Sequence, residues 1–195
     1  MMTSKTNPSE NTNGLTNGPS GQPEPSAQST QSLEPGPVKL LFKQRIFSWI
    51  ASYNIFDESG NTVYQVKGKF TFGRLFKIYD AAGRELGKVK KKLFAFKTKF
   101  AIYIGSECIG YVWKKRISVR PKFFTDFNGW SMTGNIIEWN YSIMNAQGGL
   151  VATIKKEIFH LSDTYSITVV NPADALCAVL LVLAIDAEKD DRNNS

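Results

Sequence analysis

This 195-residue chain holds one histidine and two cysteines, the side chains most often called on for imidazole, thiol and transition-metal chemistry. A lone imidazole, His160, cannot share a metal with a second histidine or act with a duplicated general base, and it reads as a strand residue. Cys108 stands in a turn-to-strand run and Cys177 in an apolar stretch. They are far apart and lack CxxC spacing, so neither metal binding nor thiol exchange is expected, and Cys177 reads as a buried thiol. Carboxylates gather at Asp186, Glu188, Asp190 and Asp191. They lack the turn glycine and loop spacing of a calcium site and read as a solvated acidic end. No nucleophile elbow, phosphate-binding glycine loop or HExxH occurs. The expectation is a protein that is not an enzyme and uses neither cofactor nor metal.

The basic residues give the positive signal. The formal charge of +7 comes from 24 Lys and Arg against 17 Asp and Glu, unevenly spread. Both ends are mildly acidic, and residues 67–122 hold 16 bases against three acids, Asp80, Glu85 and Glu107. Lys88, Lys90, Lys91 and Lys92 lead into Lys97 and Lys99; Lys114, Lys115, Arg116, Arg120 and Lys122 form a second run. Such a surface suits anionic lipid headgroups at a membrane face, an acidic protein partner, or nucleic acid. The plainer reading is that outward lysines blunt strand edges and keep the surface soluble. Nucleic-acid binding would need stacking groups, for which Phe94, Phe96 and Trp113 are the candidates. They alternate with the lysines and are therefore expected to point inward.

The elements that carry these residues are mostly strands. Residues 1–37 are rich in Ser, Thr, Asn, Gly, Pro and Gln. They hold too little apolar surface to offset the entropy of ordering, so they read as a disordered tail. That tail has no apolar core of a signal peptide, and Gly does not follow the initiator Met, which excludes myristoylation there. With few cysteines, the chain reads as cytoplasmic, peripheral to a membrane at most. From Val38, short β-type runs alternate with turns. In 93–104, Phe94, Phe96, Thr98, Phe100, Ile102 and Ile104 fall on one face of a period-two pattern, which predicts one half-buried strand. A repeat begins at Tyr53, Phe76 and Tyr141: an aromatic, Ile two residues on, Asp or Asn four on, Gly seven on, and a terminal Lys. A shorter relative begins at Phe100 and turns at Gly105-Ser106. These are hairpins, in which Asp57, Asp80 and Asn145 accept turn N–H groups and Gly60, Gly83 and Gly148 supply positive φ.

One segment breaks the pattern. Residues 173–187 lack glycine and follow Asn171, a suitable cap, and Pro172, suited to a first helical position. Eleven uncharged residues separate Asp174 from Asp186. They rise only about 16 Å as a helix, too short for a membrane span. A helix apolar on every side must be buried on every side, and a sheet can do that by wrapping around it. The predicted fold is a closed antiparallel barrel of about twelve strands around a central hydrophobic C-terminal helix, over residues 38–191. A polar end, 192–195, follows.

Several stretches resemble the LURP-one-related family: K-Q-R-I-F-S-W (43–49), F-D-E-S-G-N-T-V-Y-Q-V-K-G (56–68), I-Y-D-A-A-G-R-E (78–85), K-K-E-I-F-H-L-S-D-T-Y-S-I (155–167) and L-V-L-A-I-D (181–186). The resemblance covers the whole segment 38–191, in order. It implies membership among the tubby C-terminal-like and phospholipid-scramblase-like proteins, whose fold is a twelve-stranded barrel around a C-terminal helix. It also implies no established catalytic residues, a link to defence among plant members, and a kinship with proteins that bind phosphoinositides or act at membranes. The basic residues of the tubby lipid site have no residue-by-residue match here, so no binding residue is carried over. The functional expectation is a non-enzymatic barrel that binds anionic, phosphoinositide-like lipid or a protein partner through a basic outer surface. The alternatives are a basic nucleic-acid-binding barrel and a structural or stress-response protein with no lipid role.

Overall fold

A computed structural model describes residues 36–43, 52–71, 73–94, 97–115, 122–157 and 164–190. His160, Phe96, Arg116, Arg120, the tail before residue 36 and the end after residue 190 lie outside the described residues. Twelve strands run in chain order: β1 (Val38–Lys43), β2 (Ser52–Phe56), β3 (Thr62–Thr71), β4 (Gly73–Asp80), β5 (Glu85–Phe94), β6 (Lys97–Ile104), β7 (Glu107–Lys115), β8 (Lys122–Thr125), β9 (Ser131–Asn135), β10 (Asn140–Met144), β11 (Leu150–Glu157) and β12 (Thr164–Val169). A short 3-10 turn (Pro172–Asp174) then leads into α1 (Ala175–Asp190).

The repeated hairpins form as their turn chemistry dictates. Asn61 N donates to Asp57 Oδ1 at 2.8 Å, Arg84 N to Asp80 Oδ1 at 2.9 Å, and Gly149 N to Asn145 Oδ1 at 2.7 Å. Gly60, Gly83 and Gly148 take φ of 83°, 80° and 78°, the left-handed region where a side chain is strained. The segment 93–104 is not one strand. β5 ends at Phe94 and β6 starts at Lys97, with Phe94 opposite Lys97. The side chain of Phe94 lies outside the described ones, so its expected place on the face of Phe100 is not described.

All strands belong to one antiparallel sheet in the order β8-β7-β6-β5-β4-β3-β2-β1-β12-β11-β10-β9. Two meanders, β1–β8 and β9–β12, are joined where β12 pairs with β1 over six residues. The sheet curls into a nearly closed barrel: among the described residues no ladder joins β8 to β9, although they adjoin in sequence. The intervening residues turn elsewhere. Phe127 and Trp130 are buried with their rings edge-to-face at 4.9 Å, and Tyr111 N donates to Asp126 Oδ1 at 2.6 Å. A link drawn towards the core and towards β7 cannot also close a tight hairpin.

The helix fills the barrel. Asn171 Oδ1 accepts from Ala173 N at 3.0 Å and Pro172 opens the first turn, as the sequence implies. Every residue from Ala178 to Ile185 is at most 4% exposed. The side chains around it are the inward positions of the strands, Val66, Ile78, Val89, Phe100, Ile102, Val112, Ile143, Ile154 and Ile167. Burying each such aliphatic side chain contributes about 1.5–3 kcal/mol. Gly87 lets the helix come this close. A Cβ there would meet Leu180 Cδ1 at 3.1 Å and the Tyr103 carbonyl oxygen at 2.6 Å.

Candidate functional site

Strand pairing sorts the lysines more sharply than their spacing does. Directly opposed residues share a face of the sheet, and buried Val66, Ile78, Val89, Phe100 and Val112 mark the inner one. On the outer face Lys67 stands opposite Lys77, Lys77 opposite Lys88, Lys92 opposite Lys99 and Lys115 opposite Lys122. Lys90 and Lys69 share that face, opposite the two edges of Leu75 on β4. Of the basic residues picked out by their spacing, the structure therefore gathers Lys88, Lys90, Lys92, Lys99, Lys115 and Lys122 on one outer surface; the side chain of Lys97 lies outside the described ones.

Lys91 and Lys114 go the other way. Lys91 pairs with the buried Phe100, and Lys114 pairs with the buried Phe123 and keeps only 7% of its side chain exposed. In an unbroken strand, the middle residue of a K-K-K run and the first of a K-K pair must face oppositely from their neighbours. Spacing alone had counted them with the surface set. The sequence reading counted Lys67, Lys69 and Lys77 in the basic stretch but left them out of the candidate set; Lys67 and Lys69 on β3 meet Lys77 on β4 only through register.

Trp113 is the second correction. It was expected to point inward; it pairs with Phe124 on the outer face, the rings stacked with centroids 6.1 Å apart. Aromatics and lysines interleave across this surface. Lys67 lies over the Tyr79 ring at 4.8 Å, Lys88 over Tyr103 at 5.1 Å, Lys99 over Trp113 at 4.8 Å and Lys115 over Phe124 at 5.2 Å. Such cation–π contacts hold the ammonium groups in place at about 0.5–1 kcal/mol each on a surface. Glu85 offsets part of the charge through an ion pair with Lys77, which raises the Lys77 pKa, chiefly through that hydrogen bond.

A different set of charges closes the far end of the helix. Arg74, 6% exposed, points inward and donates from Nη1 to the Ala187 carbonyl oxygen at 2.7 Å. Lys114 Nζ lies 4.0 Å from Glu188 Oε2. Asp186 and Glu188, expected to form a solvated acidic end, are 2% and 9% exposed. The helix runs on through the barrel until its last turn, where the negative end of its dipole meets inward-facing bases. The buried Tyr53 and Tyr141 hydroxyls are held protonated, first by burial and then by the Asp186 charge. Beside Asp186 and Tyr53 the interior leaves a cavity of only about 10 Å³, room for one water and not for a carried ligand. Among the described residues no three His, Cys, Asp or Glu side chains converge to hold a metal ion. Cys108 is exposed, and Cys177 is half-buried, less enclosed than its apolar setting suggested, with its thiol pKa raised by burial.

Lys189 fastens the same end. Its ammonium donates to the carbonyl oxygens of Ile136 and Ile137 at 3.1 and 3.0 Å and stands 4.0 Å from the centre of the Trp139 ring. Trp139 holds a φ of 57°, an unfavourable conformation for its type, offset by packing against Phe42 and Tyr165. Burial pushes the Lys189 pKa down to about 8, against an opposing pull from Asp186. Between that value and the unfolded lysine value of roughly 10.4, the unfolded chain binds the extra proton, so stability rises with pH across this window. Urea midpoints from pH 7.5 to 10 should show that rise in the wild type and lose it in Lys189→Met. An identical pH profile in the two proteins would refute it.

Comparison with known proteins agrees with this architecture. A sequence profile described as LURP-one-related matches residues 38–186. The Bacillus subtilis (strain 168) "Uncharacterized protein YxjI" is 23% identical over 150 residues, 76% of this chain and 92% of the relative. The Arabidopsis thaliana "Protein LURP-one-related 14" is 32% identical over 87 residues, 44% of this chain and 43% of the relative. An X-ray structure of an Arabidopsis thaliana protein superposes with a TM-score of 0.57 at 17% identity, covering 82% of this chain and 93% of that one, a likeness of fold.

Proposed function

The chain belongs to the LURP-one-related family, and from that premise we propose that it docks on anionic membrane lipid through the outer face of β3–β8. The observation that carries this reading is the set of opposed like charges, Lys67–Lys77, Lys77–Lys88, Lys92–Lys99 and Lys115–Lys122. Like charges directly across a ladder destabilise a sheet. A surface that only needed solubility would intersperse acids more widely than the contact of Glu85 with Lys77. An anionic lipid surface relieves that repulsion, each Lys adding about 1 kcal/mol near the headgroups. The interleaved Tyr79, Tyr103, Tyr111 and Trp113 rings suit the same boundary, where an amphipathic ring has one apolar and one wet side. No helix among the described residues is long and apolar enough to cross a membrane.

Nucleic acid is the weaker reading. The outward Trp113 and Phe124 are stacked on each other and covered by Lys99 and Lys115, so their faces are already occupied. Co-sedimentation with vesicles containing phosphatidylserine or phosphoinositide should capture the protein at low salt, with neutral phosphatidylcholine vesicles as the control. Lys90→Gln with Lys92→Gln should weaken capture roughly thirtyfold, at about 1 kcal/mol per lysine. Equal capture by neutral vesicles, or none at low salt, would end this reading. A salt-sensitive mobility shift with RNA or DNA in place of capture would transfer it to nucleic acid.

A further inference from the structure

The barrel has one open seam among its described strands. β8 pairs with β7 and β9 with β10, and no ladder joins β8 to β9, so each strand directs one row of backbone groups into the gap. A cavity of about 520 Å³ fills it, lined by Lys122–Thr125 of β8 and, across from them, Trp130 and Ser131–Ile137. That is within the range of about 300–1,000 Å³ typical of binding sites. The strands are tied at one end by residues 126–130, and the cavity extends along both towards Lys122 and Ile137.

Register assigns the walls. Phe123 and Thr125 face inward with Lys114 and Val112, and Met132 and Gly134 face inward with the buried Ile143 and Tyr141. Lys122, Phe124, Ser131, Thr133 and Asn135 face outward, and Lys115 stands beside Lys122. Sheet edges in natural proteins are usually guarded by charge or proline. β9 reads Ser-Met-Thr-Gly-Asn, with neither, and four of its five residues are exposed. The seam thus offers what a strand needs: two rows of hydrogen-bonding groups, an apolar inner wall and a basic outer rim.

An acyl chain in the same space would strip water from these N–H and C=O groups and give nothing back. An extended peptide replaces each lost bond with a ladder bond and reads its own alternation against the two walls. We propose that the β8–β9 seam binds an extended peptide of four to five residues whose inward side chains are apolar and whose outward side chains are acidic. Lys115 and Lys122 border both this site and the edge of the proposed lipid-facing surface, whereas the apolar inner wall and the two backbone rows belong to the seam alone.

The test uses the full chain and an end-capped five-residue peptide alternating Glu and Val. Hydrogen exchange should slow at the amides of residues 122–125 and 131–135 when the peptide is added. N-methylation of the peptide's two valines leaves its side chains intact and should abolish the protection. Lys122→Glu should weaken the acidic peptide and strengthen its Lys-Val counterpart, each about two- to fivefold, the range of an exposed charge pair. No protection at millimolar peptide would overturn the proposal, as would undiminished binding of the N-methylated form. Protection that instead rises with protein concentration, without peptide, would assign the seam to a second copy of this chain and overturn it equally. Vesicle capture is read separately through Lys90 and Lys92, which lie on β5 away from the seam, so either outcome leaves that test standing.

Discussion

Leu180→Asp should abolish cooperative folding. Leu180 is fully buried at the middle of α1, where Gly87 allows the strand to lie against it. The substitution removes a leucine from a packed site, at about 2–5 kcal/mol for loss of the side chain. It also places a carboxylate among the buried apolar side chains of the core, adding several kcal/mol whether the group stays ionised or takes up a proton. Together these approach the whole stability of a domain, roughly 5–15 kcal/mol. Thermal and urea unfolding followed by circular dichroism should show no native baseline. Leu150→Asp, at a position 47% exposed, should unfold like the wild type. A soluble Leu180→Asp protein with a cooperative transition near the wild-type midpoint would show that the helix does not form the core.

The second large effect concerns the end of that helix. Arg74→Met keeps most of the side-chain stem but withdraws the guanidinium from the Ala187 carbonyl oxygen, 2.7 Å away. The last carbonyls of a helix have no partner within it and carry the negative end of its dipole. Here they lie inside a barrel beside the buried Asp186 and Glu188. A charged hydrogen bond of this kind contributes about 1.5–3 kcal/mol, and the lost dipole interaction up to about 1 kcal/mol more, so a fall of roughly 2–4 kcal/mol is expected. Arg74→Lys should recover only part of it, because an ammonium lacks the guanidinium's planar fork. Hydrogen exchange should quicken first at the amides of residues 184–190. A urea midpoint for Arg74→Met equal to that of the wild type would show that the contact contributes nothing.

The fold was legible because its signals are local. The Asp57–Gly60, Asp80–Gly83 and Asn145–Gly148 turns carry their own hydrogen-bond acceptors and their own positive φ. The central helix followed from an apolar run with no polar face, and its start from Asn171 and Pro172. The basic surface was legible only in composition. Lys91 and Lys114 were counted with the outer set because adjacent lysines look alike in a sequence, whereas a strand sends neighbours to opposite faces. Residues 93–104 read as one strand because the alternating pattern of hydrophobicity runs unbroken past the end of β5 at Phe94 and the start of β6 at Lys97. Lys67 and Lys77 meet across a ladder, with nine residues of chain between them, and only pairing brings them together.

By itself the sequence determined what each segment must do. The hairpins, the need for a buried helix and the excess of bases over residues 67–122 are all set by residue type and short-range spacing. Tertiary structure alone decided where those charges act. Register fixed which lysines oppose one another outside and which bases turn in towards the helix end. The path of residues 126–130 left β8 and β9 unpaired and opened the seam. Backbone turns and apolar runs are local and travel with the chain. The face, the partner across a ladder and the closure of a barrel depend on contacts between segments far apart in sequence, and no local pattern encodes them.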